Sequence, residues 1–194
     1  MGLIVVKVGG SLYDLPDLGP RLVAWLQTLN EPVLLVSGGG ATADVVRDLD
    51  RCHGLGDAMS HELALRSLTL NAWFLAALLY RTAVGNVPVW NPWVSPLTDC
   101  VSLLDAHAFW LWDELLLNPG ALPACWDATS DSVAARAAVV LGASELVLLK
   151  SVTIAEPYDW TAAARLGAVD RYFCQILEGA PGLRVRVVNL RACG

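Results

Sequence analysis

Positive charge is scarce in this sequence, and lysine is almost absent from it. Charged residues make up 16% of the 194 residues, the net charge is −6, and the lysines are Lys7 and Lys150 alone. No stretch rich in lysine or arginine is present, which argues against a nucleic acid as the partner. Each lysine closes an apolar run, so we interpret both as residues of a site; for Lys150, an exposed strand end is the alternative.

The sequence also lacks paired cysteine spacing and the common nucleotide-binding patterns. No CxxC pair occurs, which indicates thiols in a reducing compartment and neither a disulfide framework nor a zinc site. The cysteines are Cys52, Cys100, Cys125, Cys174 and Cys193. Neither GxxxxGK[ST] nor GxGxxG is present, which excludes a P-loop and a Rossmann dinucleotide site. The first apolar run is short and has no basic region before it, so we expect no signal peptide and a cytoplasmic protein.

Apolar residues are abundant, at 55% of the chain, with a mean hydropathy of +0.50. No membrane-spanning helix is expected, because the most apolar helical stretch, residues 72–79, is short and is soon followed by Arg81. Such a composition is typical of buried parallel strands with helices packed on both sides. A subunit interface would bury the remaining apolar surface, so we expect a homo-oligomer, with a dimer favoured.

Short apolar runs alternate with amphipathic segments along the chain. Strands are predicted at residues 3–8, 33–37, 85–90, 101–104, 145–150 and 184–190. Helices are predicted at residues 16–29, 41–49, 58–80, 130–141, 162–166 and 170–177, with Asp57 and Asp105 as N-caps. This order predicts one α/β domain over residues 1–194, with a mainly parallel sheet covered on both faces. Ligands bind such sheets beyond the carboxyl ends of the strands.

Glycines directly follow two of the predicted strands. Gly9 and Gly10 come after the first strand, and Gly38, Gly39 and Gly40 come after the second. A strand that ends in glycine and turns into a helix exposes backbone N–H groups, and these groups bind phosphate. We expect the first turn to face nucleotide phosphates and the triple glycine to face the acceptor substrate. For the first turn alone, a simple tight connection is an equally good explanation.

A third candidate segment opens the alanine-rich helix that begins near residue 130. Ser130, Asp131 and Ser132 lie there, and Ser11 follows the first glycine turn. Phosphoryl transfer requires charge neutralisation and alignment, which a lysine such as Lys7 and nearby hydroxyl groups would provide. Asp131 would hold the lysines in position or help to organise a magnesium ion. The alternative role for Ser130 or Asp131 is that of an N-cap.

Two polar residues on the long predicted helix complete the set of candidates. His61 and Asn71 are candidate contacts of the acceptor substrate, although a lone histidine on a helix usually has a structural role. Trp126 precedes the third segment and is a candidate lining residue of the cleft.

These segments, in this order, resemble the amino acid kinase family. The resemblance rests on residues 7–11, 37–40 and 130–136 and extends over essentially the whole chain. It implies a three-layer α/β/α sandwich, ATP with magnesium, and a homodimer or larger assembly. It also implies that Lys7 neutralises the transferring phosphoryl group and that Asp131 organises the catalytic lysines. The first glycine turn and Ser11 would bind ATP phosphates, and the triple glycine would hold the acceptor.

Within the family, residues 43–47, 126–132 and 167–173 are similar to those of the aminomethyl-furanmethanol phosphate kinases. Those enzymes phosphorylate a phosphate monoester in methanofuran biosynthesis. The family's late lysine, in a Gly-Met-x-x-Lys segment, has no counterpart at residues 166–170, so Lys150 is the candidate replacement. The segment after it, with Ser151 as a candidate nucleotide contact, is shorter than the family's nucleotide loop.

A kinase that acts on a small acceptor is therefore the leading hypothesis. A catalytically silent nucleotide- or anion-binding module of the same fold is the second, and an interaction or storage protein is the third. Turnover with ATP would separate the first from the second, and ATP-dependent thermal stabilisation would disfavour the third.

Overall fold

The computed structural model describes residues 2–82, 85–97, 100–116, 120–154 and 156–192, and its centre is a parallel sheet. The strands are β1 (Ile4–Val8), β2 (Val33–Ser37), β3 (Val89–Trp90), β4 (Ser102–Leu104), β5 (Glu145–Lys150) and β6 (Arg184–Asn189). Their order across the sheet is β3-β4-β2-β1-β5-β6, and each neighbouring pair is parallel. The neighbouring strands β1 and β5 are parallel, so they end at the same edge of the sheet.

Helices cover both faces of this sheet. They are α1 (Leu18–Leu26), α2 (Gly40–His53), α3 (Asp57–Arg81), α4 (Ala106–Leu115), α5 (Ser130–Val140), α6 (Trp160–Arg165) and α7 (Arg171–Glu178). Side chains of α4, α5 and α7 form one core with one face of the sheet. The other core contains side chains of α1 and of the C-terminal half of α3. The expected three-layer α/β/α architecture is confirmed.

The alternation of side chains along the strands decides where each lysine points. Val5 belongs to the core beneath α5, whereas Ile4 and Val6 belong to the opposite core. Because side chains alternate with a period of two, Lys7 shares the face of Val5. By the same rule Lys150 shares the face of Leu148, which also belongs to the α5 core. Both lysines therefore lie on the side of the sheet where α5 begins.

Two predicted caps and one predicted strand differ from the structure. Asp57 is the first residue of α3 and not its N-cap, because Gly56 enters the helix with a φ of +80°, a conformation that favours glycine. Thr129, and not Ser130 or Asp131, is the N-cap residue of α5, which leaves Asp131 for other contacts. The strand predicted at residues 85–90 is limited to Val89–Trp90. The cap predicted at Asp105 is confirmed, since its side chain accepts a hydrogen bond from the backbone N–H of Ala108.

Helix α3 is longer than the apolar stretch considered in the sequence. Among the described residues it is the one helix long and apolar enough to cross a membrane, by length and composition, so the expectation that no segment meets that test is wrong. The helix nevertheless packs into the fold: it buries His61 and Asn71, and it contributes Leu75 and Leu79 to the core beside α1. These contacts hold one face of the helix against the sheet and its neighbouring helices.

None of the thiols among the described residues is fully buried. Cys52 and Cys100 are exposed, and Cys125 and Cys174 are half-buried. Cys193 lies outside the described residues, as do residues 118 and 119 of the loop expected between α4 and α5.

Candidate active site

A cavity of about 440 Å³ opens at the carboxyl edge of the sheet. Its lining includes eleven of the fourteen candidate catalytic and ligand-binding residues, which come from five stretches distant in sequence, and also the candidate lining residue Trp126. The eleven are Lys7, Gly9, Gly10, Ser11, Gly39, Gly40, His61, Ser130, Asp131, Lys150 and Ser151. The placement of Lys7 and the triple glycine on one side of the molecule is the condition on which the kinase hypothesis depends, and it is met.

Two ammonium groups and one carboxylate form the centre of the cavity. Lys150 Nζ donates to both carboxylate oxygens of Asp131 at 2.8 Å. Lys7 Nζ lies 2.9 Å from Asp131 Oδ1. All three residues are buried, with 5% to 8% of their surface exposed. The cluster carries one net positive charge, which suits it to an anionic ligand.

Burial and mutual charge shift the pKa values in this cluster. Burial, and after it the nearby charge of Lys7, lowers the pKa of Lys150 to about 8. Burial alone would raise the pKa of Asp131, but Lys7 and Lys150 together hold it below its usual range. Asp131 is therefore ionised near neutral pH, and Lys150 is a cation that titrates within reach of physiological conditions.

The two lysines differ in how many of their hydrogen-bond donors are occupied. Lys150 Nζ donates to the carbonyl oxygen of Ala168 at 2.7 Å as well as to Asp131. An ammonium group has three N–H donors, and Lys150 directs its donors at these protein oxygens. Within the described parts of the chain, Lys7 Nζ has only Asp131 as a partner. Lys7 is therefore the better placed of the two to bind a ligand oxygen without losing a protein contact.

The two glycine turns pack directly against each other. A Cβ atom on Gly10 would lie 2.3 Å from the backbone nitrogen of Gly40, and a Cβ atom on Gly38 would lie 2.3 Å from that of Gly10. Gly40 also has a φ of +53°. A side chain at Gly10 or Gly38 would force the turns apart. The glycines are therefore required for the contact between the turns as well as for any close approach of phosphate.

Asn71 supports the triple glycine from behind. Its Nδ2 lies 2.8 Å and 2.7 Å from the carbonyl oxygens of Gly38 and Gly39, and 2.7 Å from Thr42 Oγ1. Neither Asn71 nor Gly38 is among the residues that line the cavity. Asn71 is therefore a positioning residue for the turn, and the substrate contact predicted for both residues stays a prediction.

Ser132 likewise faces away from the cavity, toward Asp170. Its hydroxyl and backbone N–H both donate to the Asp170 carboxylate. The same carboxylate accepts hydrogen bonds from the backbone N–H and hydroxyl of Thr129 and from the backbone N–H of Phe173 at the start of α7. Asp170 thus joins the beginnings of α5 and α7, and it fixes the turn of helix that carries Asp131. Ser132 is not among the residues that line the cavity, and the nucleotide contact predicted for it stays a prediction.

Ser11 and Ser151 face each other at the rim of the cavity. Their hydroxyl oxygens are 2.9 Å apart, although the residues are separated by 140 positions in sequence. This hydrogen bond joins the ends of β1 and β5 and leaves further hydrogen-bonding capacity for a ligand, because each hydroxyl is both donor and acceptor.

The remaining wall of the cavity has a different character. Leu65 and Leu68 provide apolar surface, and the indole of Trp126 lies beside them in the lining. The Arg47 guanidinium lies 5.0 Å from the centre of the Trp126 ring, a cation–π distance. The cavity lining therefore combines the lysine cluster with apolar side chains and one arginine.

Asp170 and Arg47 are site-forming residues that the sequence did not identify. Asp170 caps the N-terminus of α7 through the backbone N–H of Phe173, and an aspartate at the start of a predicted helix is the signal that the sequence offers for this residue. Its contacts with residues 129 and 132 join distant segments, which no local pattern reveals.

The protein is thus an α/β/α sandwich with a lysine–aspartate–lysine cluster and two joined glycine turns at the carboxyl edge of its sheet. A model of the amino acid kinase family matches residues 2–153. The chain belongs to the amino acid kinase family.

Similar proteins support this assignment. The chain is 27% identical over 151 residues to the [5-(aminomethyl)furan-3-yl]methyl phosphate kinase of Methanocaldococcus jannaschii. That match covers 76% of this chain and 65% of the relative, so the chain spans less than two thirds of the relative's length.

Solved structures show the same fold. The uridylate kinase of Archaeoglobus fulgidus is 17% identical, with a TM-score of 0.62 over 98% of this chain and 92% of that one. The UMP kinase of Ureaplasma parvum is 14% identical, with a TM-score of 0.63 over 99% and 91%. At these identities the structures establish the fold alone.

Proposed function

We propose that this protein is a kinase that transfers the γ-phosphoryl group of ATP to a phosphate monoester, and that a diphosphate is the product. The observation that carries this proposal is the cluster of Lys7, Lys150 and Asp131 at the joined glycine turns. The family supplies the expectation of ATP as donor, and the cluster provides the charge that such a transfer needs.

The choice of a phosphate monoester follows from the carboxylates of the cavity. An alcohol acceptor must lose a proton during transfer, which calls for a general base. Asp131 is the one carboxylate in the described lining, and lysines hold both of its oxygens. A phosphate monoester is largely a dianion at neutral pH, so its oxygen attacks without a base. The relative from Methanocaldococcus jannaschii is named for such an acceptor, an aminomethyl-furanmethyl phosphate.

In the proposed reaction one P–O bond forms and one breaks. An oxygen of the acceptor phosphate attacks the γ-phosphorus of ATP, and the bond from that phosphorus to the β–γ bridging oxygen breaks to release ADP. No proton needs to move. Lys7, with donors to spare, would contact the transferring group, while Lys150 and Asp131 would hold the site's charge in place. The backbone N–H groups of the two glycine turns would orient the phosphates on either side.

Magnesium is expected with ATP, held mainly by the phosphates and by few protein side chains. No group of three histidine, cysteine or acidic side chains able to hold a metal occurs among them. Asp131, which was a candidate to organise magnesium, directs both oxygens at lysines. These contacts fit a positioning role for Asp131. Any magnesium would enter the site bound to the phosphate oxygens of ATP.

A homodimer remains our proposal for the assembly, with a cytoplasmic location. Its support is an apolar stripe on α3 that consists of Leu70, Trp73, Phe74 and Tyr80. These side chains are between 39% and 67% exposed, and their spacing places them on one face of the helix. A continuous stripe of exposed apolar side chains is typical of a subunit interface.

The test is a transfer assay with ATP and a panel of acceptors. The panel contains UMP, [5-(aminomethyl)furan-3-yl]methyl phosphate, and the alcohols from which these esters derive. We expect transfer to a phosphate ester and none to its alcohol. Lys7→Met should lower kcat by about 100-fold or more, whereas Arg51→Met, at an exposed helical position outside the cavity, should leave it unchanged. ATP binding without transfer to any acceptor would instead favour the silent binding module.

A further inference from the structure

His61 is a buried residue of the cavity wall whose ring has one nitrogen engaged and one without a partner. Its Nδ1 lies 3.0 Å from the carbonyl oxygen of Cys125. Its Nε2 is buried and has no hydrogen bond from any of the described residues. Only 2% of the residue is exposed, yet it belongs to the lining of the cavity. Buried polar atoms are nearly always hydrogen-bonded, so an unpartnered one on a residue that lines a cavity is a candidate contact for a ligand.

The carbonyl of Cys125 determines which hydrogen-bonding role Nε2 can have. A carbonyl oxygen only accepts, so the hydrogen must be on Nδ1. In a neutral imidazole the other nitrogen then carries a lone pair and accepts hydrogen bonds. Burial lowers the pKa of His61, and this outweighs the opposite effects of the Cys125 carbonyl and the charge of Glu114. The ring is therefore neutral near pH 7, and its Nε2 is an acceptor.

The surroundings of His61 hold the ring in place. The Trp110 ring packs edge-on against it, with centroids 5.6 Å apart and an interplanar angle of 66°. Leu65 follows one turn later on the same helix and continues the same cavity wall as apolar surface. The wall is therefore largely apolar, and the one hydrogen-bond acceptor that His61 brings to it is a buried atom of a fixed ring.

We propose that His61 determines specificity by accepting, through Nε2, a hydrogen bond from an N–H or O–H group on the body of the acceptor substrate. This inference rests on the proposed function, because it concerns the acceptor of that reaction. It assigns the acceptor to the phosphate monoesters whose non-phosphate part is mainly apolar and carries a hydrogen-bond donor. It also assigns the acceptor phosphate to the lysine cluster, since a phosphate oxygen and the Nε2 lone pair repel each other.

Two probes that differ only in the donor test this assignment. The first is [5-(aminomethyl)furan-3-yl]methyl phosphate, and the second is (5-methylfuran-3-yl)methyl phosphate, which lacks the amine. Calorimetry on the full chain should give at least a tenfold lower Kd for the amine. Equal affinities for the two probes, or binding of neither, would overturn the proposal. Failure of the proposed function is a different result, in which the amine probe binds more tightly but ATP does not phosphorylate it.

Matched variants separate a ligand contact from a structural role. In His61→Asn the side-chain amide can still donate to the Cys125 carbonyl, but the acceptor at the Nε2 position is lost. In His61→Gln the longer amide can place an oxygen near that position. We expect the preference for the amine probe to disappear in His61→Asn and to persist in part in His61→Gln. The affinity for ATP should be unchanged in both variants. A preference that survives in His61→Asn would contradict the proposal.

The protonation state of His61 is directly measurable. Histidine-labelled ¹⁵N NMR of the free protein should show neutral His61 with its hydrogen on Nδ1, and the amine probe should shift the Nε2 resonance. Inorganic phosphate alone should leave that resonance unchanged. An imidazolium signal, or a hydrogen on Nε2 in the free protein, would overturn the proposal.

Discussion

Asp131 holds both lysines of the site, so its neutralisation tests the proposed electrostatics directly. The substitution Asp131→Asn keeps the size of the side chain and removes its charge. Both ammonium groups contact the same Oδ1 atom, at 2.9 Å and 2.8 Å, so they remain close together when the carboxylate is gone. We expect the buried cluster to release a proton and the protein to lose both activity and stability.

The magnitude follows from the distances. With an effective dielectric constant of about 20, opposite charges about 4 Å apart attract by about 4 kcal/mol. That is about three times the 1.4 kcal/mol that corresponds to one pKa unit. Because the pKa of Lys150 is about 8 with Asp131 in place, Lys150 should be neutral at pH 7 in the variant. Loss of one such stabilising charge lowers kcat by about 100- to 1,000-fold, and breaking a buried pair costs about 3–5 kcal/mol of unfolding free energy.

The assays are steady-state transfer at pH 7 and urea unfolding. Glu145→Gln is the matched control, because Glu145 is a buried carboxylate that pairs with Arg184 and Arg186 at the opposite end of β5. The control should keep kcat within about twofold, since its charge lies far from the cavity edge. If Asp131→Asn keeps its kcat as the control does, the proposed role of the cluster is refuted.

Three further predictions concern pH, helix positioning and assembly. Transfer should fall as the pH rises through about 8, where Lys150 loses its proton in the folded protein. Lysine in the unfolded chain keeps its proton to about pH 10, so the contribution of Lys150 to the unfolding free energy should rise between these pH values. A loss of stability in urea titrations over that pH range would contradict the assignment. Asp170→Asn should lower the unfolding free energy by about 1–3 kcal/mol, because Thr129 and Ser132 lose a shared acceptor, and it should lower kcat as well. Urea unfolding measures the change in free energy. Unchanged stability would show that the link between α5 and α7 is dispensable. Trp73→Glu places a charge in the exposed stripe of α3 and should convert a dimer to a monomer in light scattering after size-exclusion chromatography, whereas a monomeric parent protein would refute the dimer.

The sheet and the lysine placement were predictable because they depend on local patterns. Buried parallel strands appear as short apolar runs, and β2 and β5 begin and end where those runs do. The period of two along β1 and β5 places both lysines on one face, as the structure shows. The order of strands also brings the two glycine turns to the same edge.

The supporting contacts were not predictable from local patterns. Asn71 reads as an isolated polar residue on a helix, and only the packing of α3 brings its amide to the carbonyls of the glycine turn. Asp170 reads as an N-cap, and its additional bonds to residues 129 and 132 depend on how α7 packs against α5. The partner of a buried polar group depends on the tertiary structure. Sequence motifs therefore did not identify the residues that position the site.

The scarcity of lysine allows a direct test of the claim that the lysine cluster lies at the γ-phosphoryl group of ATP. Lys7 and Lys150 are the only lysine side chains of the chain, so an ATP derivative with an acyl group on its γ-phosphate has two lysine targets. Peptide mass spectrometry after incubation with this reagent should find Lys7 or Lys150 acylated, and excess ATP should prevent the reaction. Absence of acylation at both lysines, or acylation that ATP does not prevent, would contradict the account.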